Sequence, residues 1–280
     1  MNLKGIFADD NAFVKLLVTA FIAVMSVIIF SVFAVFHNVE ITQLAMSVGL
    51  FVVPPIVSAY LVSREPKVFL AVDKLPSVSN ALFACVFMVL AVPVINLLAE
   101  WNAAVQLPDN FAALEEWLRN AEDTAAALSK QMMQTSTFGG LLVNILLMAL
   151  VPAVGEELFF RGMLQNYFVQ WTRNAHAAVW LAAFVFSTFH FQFFGFIPRL
   201  LLGAYMGYLL VWSRSLWLPV LAHFVNNALA VIAYFLFENK YIDANPDAIG
   251  KNFSLFLIIG NILILTFLLF LHRKQERHNY

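Results

Sequence analysis

Long apolar runs alternate with short polar breaks along almost the whole chain. A helix needs about 20 apolar residues to cross a bilayer. Eight stretches reach or approach that length: 13–36, 41–63, 78–99, 138–160, 174–191, 197–213, 215–237 and 253–271. The fifth and sixth are the shortest. Pro54, Pro55, Pro93 and Pro152 fall inside these runs, where the freed carbonyls need a neighbouring helix or water. The pattern predicts an all-α fold: a polytopic transmembrane helical bundle of about eight spans, with one outer amphipathic helix.

That outer helix is predicted in the one segment that reads as soluble, residues 100–137. Phe111, Leu114, Leu118, Ala121, Ala125, Leu128 and Met132 recur at steps of three and four, with Glu115, Glu116, Arg119, Glu122 and Asp123 between them. This is amphipathic helical spacing. It suits a helix packed on the bundle or at the lipid interface; a lid or substrate-docking element is the sharper alternative. Its acidity argues against attraction to anionic lipid heads.

Composition supports the membrane assignment. The 280 residues are 62% hydrophobic and 12% charged, and 29 are Phe; soluble domains carry about 25% charged residues. The net charge of −1 leaves no basic footprint for nucleic acid. The single cysteine, Cys85, cannot form an intrachain disulfide. The first run, Phe13 to Phe36, follows Asp9 and Asp10, exceeds a signal-peptide core in length and is read as a retained span. With the N-terminus inside, 11 of the 16 Lys and Arg, Arg161 among them, fall on the inner side. This predicts both termini in the cytosol. A bacterial inner membrane is the expected location.

Three segments carry candidate chemistry inside apolar runs, where ionisable groups are costly and functional by default. In Gly155-Glu156-Glu157-Leu158-Phe159-Phe160-Arg161, helical spacing lets Glu157 pair with Arg161. Glu156 is rotated by about 100 degrees and is free to act as a general base; a salt bridge at a helix end is the plain alternative for the other two. In Phe186-Ser187-Thr188-Phe189-His190, Phe186 lies one turn before the histidine. His223 and Asn227 lie four apart, suited to binding an oxyanion or to an imidazole oriented by an amide; an interhelical hydrogen bond is the plain alternative. Ser187 and Thr188 lack an adjacent base in the helical reading. Gly203 and Gly207 form a G-x-x-x-G that allows close helix approach.

Together, Glu156-Glu157-x-x-x-Arg161, Phe186-x-x-x-His190 and His223-x-x-x-Asn227 resemble the CPBP family, which comprises CAAX proteases and bacteriocin-processing enzymes. These are also called the Abi family of intramembrane glutamic endopeptidases. The resemblance covers roughly residues 138–235. It implies that Glu156 activates water, that His190 positions or activates it alongside, and that His223 and Asn227 stabilise the oxyanion. Glu157 and Arg161 would support that geometry. The chain then divides into residues 1–137, three spans plus the outer segment; 138–237, the catalytic helical core; and 238–280, a last span with a basic tail.

The expected function is hydrolysis of a peptide bond in a membrane-associated polypeptide, without a covalent intermediate. The partners are the substrate and the bilayer, and no cofactor is expected. Two alternatives keep the same site: a zinc-dependent variant using Glu156, His190 and His223, and a non-catalytic immunity or scaffold protein. No H-E-x-x-H supports zinc. A transporter would show paired broken helices in two halves, and no repeat is visible. Depth is an obstacle. Counted from Arg173 at the inner face, His190 lies about 25 Å into the bilayer, whereas Glu156, read near the end of its span, and His223 lie much closer to that face. Gly195 and Pro198 would permit a break after His190.

Overall fold

The computed structural model describes residues 3–33, 38–250 and 255–278; residues 34–36, the end of the first predicted span, and the outer cation Lys251 lie outside them. Among the described residues the fold is helical and has no strand. In chain order the helices are α1 (Ala12–Ser31), α2 (Val39–Val62), α3 (Val78–Ala103), α4 (Ala112–Met133), α5 (Phe138–Thr172), α6 (Ala175–Thr188), α7 (Phe196–Ser213), α8 (Trp217–Glu238) and α9 (Leu255–His278). Six helices are long and apolar enough to cross a membrane: α1, α2, α3, α5, α8, and α7 extended back to Phe193. Two shorter apolar helices, Ala175–Thr188 and Phe256–Phe270, match the remaining predicted runs.

Polar residues mark where the helices begin. The side chains of Asn11, Ser77, Thr137 and Asn174 each accept a backbone N–H of the first turn, which satisfies one of the donors a helix start leaves open. Arg173 and Arg214 close α5 and α7 in the left-handed region, at φ 53° and 52°. The chain can therefore turn back at once.

The prolines do not break their helices. Wider π turns, Val48–Val52 and Ile145–Leu150, run up to the Pro54-Pro55 and Pro152 sites. Pro152 has no N–H to offer the carbonyl four residues back, which is that of Met148. Asn227 Nδ2 on α8 reaches this carbonyl at 3.4 Å. A second π segment, Leu158–Leu164, follows the paired glutamates; such segments are frequent at functional sites.

One predicted boundary is wrong in a way that matters. The fourth span was read as 138–160, but the helix runs on to Thr172 because Gln165, Asn166 and Gln170 are held within the fold. Gln165 Nε2 donates to Gly207 O at 3.2 Å, and Asn166 Nδ2 donates to Phe69 O at 2.9 Å. Gln170 Oε1 accepts from the buried Lys15 Nζ at 3.5 Å. Arg161 is therefore fully buried in mid-helix, not an inner-face cation.

The longer helix removes the depth obstacle. Glu156 lies 16 residues before Thr172, and His190 lies 17 residues after Arg173. At about 1.5 Å per residue, the antiparallel α5 and α6 return to nearly the same level. α8 begins level with Gly162 of α5, where an added Cβ would lie 3.3 Å from Leu70 and 3.6 Å from Leu216. Its first residues dock on the loop after α2, where Leu216 N–H donates to Ala71 O at 2.8 Å and Ser215 Oγ to Lys74 O at 2.7 Å.

The glycines of α7 set its approach to α6. A Cβ on Gly203 would lie 3.2 Å from the Phe186 ring and 3.3 Å from Ala183 Cα, and one on Gly207 would lie 3.0 Å from Val179. Their carbonyls receive α5: Arg161 Nη2 donates to Gly203 O and Gln165 Nε2 to Gly207 O, each at 3.2 Å. Two donors one turn apart meet two acceptors one turn apart, which fixes the register of α5 on α7.

Candidate active site

The buried polar residues of α5 and α8 form one cluster. Glu157 and Arg161 are fully buried and pair at 2.9 Å through Oε1 and Nη1. The Arg161 guanidinium also lies 4.3 Å from the centroid of the Phe186 ring, a cation–π arrangement. Two ions out of water need this degree of compensation, since desolvation can exceed their mutual attraction.

His223 enters between the two glutamates. Its Nδ1 lies 2.8 Å from Glu157 Oε1, and its Nε2 lies 3.9 Å from Glu156 Oε2. Helical spacing predicts that the two carboxylates point apart. Even so, one imidazole from α8 meets both of them. Its link to Glu157 was not legible in the sequence, because the two residues lie on different helices. A 3.9 Å gap is too long for a direct hydrogen bond but suits a bridging water. Glu156 Oε2 is buried and has no hydrogen-bond partner.

The charges are nearly balanced. Two carboxylates and one guanidinium leave a deficit of one positive charge, and one further proton makes the set neutral. A carboxylate oxygen and an imidazole nitrogen thus face each other across the gap, the two kinds of group most used for proton transfer in catalysis.

Asn227 sits one turn beyond His223 on α8. Its Oδ1 accepts from Asn226 Nδ2 at 3.0 Å, which fixes its amide and leaves the Nδ2 face toward the Met148 carbonyl. Asn226 was missed in the sequence, where it read only as the neighbour of the motif residue.

His190 is attached differently. It lies just past the end of α6, and its Nδ1 donates to Phe186 O at 2.8 Å. A carbonyl can only accept, so the neutral ring keeps its lone pair on Nε2. The ring packs edge-on to Phe186 at 4.9 Å, and the other neighbours of Phe186 include His223 at 6.1 Å. His190 makes no hydrogen bond or ion pair with either glutamate. In place of the expected direct alliance with Glu156, its link to the cluster runs through an aromatic ring. Phe186 is the hub that joins His190, His223 and Arg161. Ser187 Oγ and Thr188 Oγ1 donate to the carbonyls of Phe196 and Phe184.

Among the described residues no three His, Cys, Asp or Glu side chains are grouped as a metal ion requires. His190 in particular is not assembled with Glu156 and His223 into a zinc set.

All six of these residues fall in one stretch of about 70 positions. Residues 138–229 match the Rce1-like family, type II CAAX prenyl endopeptidase Rce1-like. The resemblance carried by the three motifs holds over this Rce1-like segment. A protein of Bacillus subtilis (strain 168), named uncharacterized protein YpbD, is 29% identical over 89 residues. That alignment covers 30% of this chain and 42% of the relative, so it spans less than half of that protein. No solved structure matches. With its six long apolar helices, the chain is an integral membrane protein whose Rce1-like segment is similar to membrane endopeptidases.

Proposed function

We propose that the protein is an intramembrane endopeptidase that cleaves a membrane-associated polypeptide with water activated at Glu156, without a covalent intermediate. The observation that carries this reading is the 3.9 Å gap between the unpartnered Glu156 Oε2 and His223 Nε2, with Glu157 holding the other face of the imidazole.

Water in that gap gives one proton to Glu156, and its oxygen attacks the scissile carbonyl. Charge then develops on the carbonyl oxygen. Protonated His223 and the Asn227 amide are the donors on α8 that face it, and preorganised donors of this kind commonly give the largest single contribution. When the C–N bond breaks, the proton held by Glu156 passes to the leaving nitrogen. The products are a carboxylic acid and an amine, and transfer of the acid's proton to the amine leaves a carboxylate end and an ammonium end. His190, with Nε2 free, acts as the second acceptor that positions water at the mouth of the site. Arg161 holds Glu157 in place by its ion pair and does not touch the substrate. A substrate helix must unwind to present its carbonyl. The site lies in a bacterial inner membrane protein with both termini in the cytosol.

A cleavage screen of membrane-associated peptides with the wild type and with Glu156→Ala tests the assignment. Cleavage lost in the variant is the expected result. Equal cleavage by both proteins would remove Glu156 from the mechanism, and no cleavage by the wild type would favour a non-catalytic scaffold on the same fold. Zinc-restored activity after chelation would replace the metal-free scheme.

A further inference from the structure

The turn that carries His190 is not held by its own helices alone. Residues 189–195 join α6 to α7, and Phe191 takes a left-handed φ of 52°. A non-glycine residue there needs support from its surroundings. Buried backbone groups of such a turn must also find partners. They find them on side chains of α3, α4 and α7. Asn102 at the end of α3 accepts from Ile197 N–H at 2.7 Å and donates to Phe193 O at 3.2 Å. Arg199 on α7 donates to both oxygens of Gln192. Glu122 on α4 accepts from Phe194 N–H at 2.8 Å. The Arg119 guanidinium, one turn before Glu122, lies 3.9 Å from the centroid of the Phe194 ring.

α4 therefore grips this turn with two residues, yet it is itself loosely held. None of its residues is buried. Phe111, Leu114, Trp117 and Leu128 are 43–61% exposed. At its far end, the half-buried Met133 packs against Val231 and Phe235 of α8 and its carbonyl accepts from Asn144 Nδ2 at 3.0 Å, and Lys130 pairs with Glu238 at 3.8 Å. Few buried contacts and exposed bonds are the marks of an element that opens locally. If it opens, Phe194 N–H loses its acceptor four residues from His190.

We infer that Glu122 is a positioning residue: by accepting the Phe194 N–H it fixes the turn that bears His190, so that α4 is a cover whose closure completes the site. The part played by His190 rests on the proposed peptidase reading; the latch itself does not. Substrate would enter beneath α4 while Glu122 is released, and closure would restore the position of His190.

Amide hydrogen exchange on the full-length protein in lipid nanodiscs tests the latch without a substrate. In Glu122→Ala the Phe194 amide is expected to exchange about ten-fold faster or more, the effect of losing a charged acceptor. Glu122→Gln keeps a carbonyl oxygen in place and is expected to stay within about three-fold of wild type. Amides of α5 and α8 should be unchanged, since Asn102 still tethers the turn. Unchanged Phe194 exchange in Glu122→Ala, or protection lost equally across α5 and α8, overturns the latch. On a substrate cleaved by the wild type, Glu122→Ala should lower kcat about ten-fold with KM little changed, and Glu122→Gln should restore it. Equal kcat in Glu122→Ala overturns the link to His190. If the wild type cleaves nothing, the peptidase reading fails, and the exchange result still decides the latch.

Discussion

Arg161 and Arg119 each pair with the glutamate one turn earlier on the same helix, at 2.9 and 2.7 Å. The local motif is identical and the surroundings are opposite. On α5 both side chains are 0% exposed, whereas on α4 Arg119 and Glu115 are 40% and 18% exposed. The buried pair orients His223 and stacks on Phe186. The outer pair folds a loop, with Glu115 Oε2 taking Leu107 N–H and Arg119 reaching Val105 O. Spacing along a helix therefore says that two charges can meet, and burial decides what the meeting does.

The comparison is broken most severely by removing the chemistry from one side only. Glu156→Gln keeps the shape of the site and removes its base. Cleavage by the variant is expected to fall about 10²–10⁴-fold, whereas Glu115→Gln should leave kcat unchanged. Steady-state rates on one substrate measure both. A comparable loss in the two variants would mean that the outer helix takes part in the chemistry as directly as the core.

Stability separates the pairs next. Arg161→Met strands Glu157 in the core and is expected to cost about 3–5 kcal/mol, read from reversible unfolding in bicelles. Adding Glu157→Gln should recover much of that loss, because the stranded charge is the main penalty. Arg119→Met should barely move the midpoint, as exposed pairs contribute little.

Packing gives a smaller contrast. A Cβ on Gly155 would lie 3.0 Å from Phe51 Cβ, where α5 crosses α2 beside Glu156. Gly155→Ala should cost about 1–3 kcal/mol through overpacking. Gly139, at the start of the same helix, has nothing within 4 Å of such a Cβ. Gly139→Ala should be neutral or stabilise by up to about 1 kcal/mol. Unfolding midpoints of the two variants settle the order.

These contrasts explain what was legible in the sequence. Spans, the amphipathic helix and the Glu157–Arg161 pair follow from periodicity, which is local information. The end of α5 lies beyond 160 because Arg161, counted from the sequence as an inner cation, is buried, and only the partners of Gln165 and Gln170, Gly207 and Lys15, show that the polar residues after it stay inside the fold. The linking of His223 to both glutamates and of Phe194 to Glu122 joins residues 66 to 72 positions apart. No pattern along one helix encodes such pairs. The residues of the first and third motifs meet around His223, whereas His190 is linked to them through Phe186 and not through Glu156.

The gentlest test uses the outer pair alone. The Leu107 N–H and the Arg119 guanidinium hold the Glu115 carboxyl below its ordinary range. A carboxyl held low in the folded state favours folding once the pH lies above its unfolded value, and the contribution fades as pH falls through the folded one. The loop at 104–111 should therefore become more open to protease as pH drops from about 5 toward 3, while α4 frays from its first turn. Glu115→Gln should show that openness already at neutral pH and lose the pH dependence, whereas the Phe194 amide, held by Glu122, should respond separately. A loop that stays equally resistant across this range in the wild type would mean that Glu115 does not hold it. Loss of the loop and of Phe194 protection together would mean that α4 opens as one body, so that the pair and the latch are a single device.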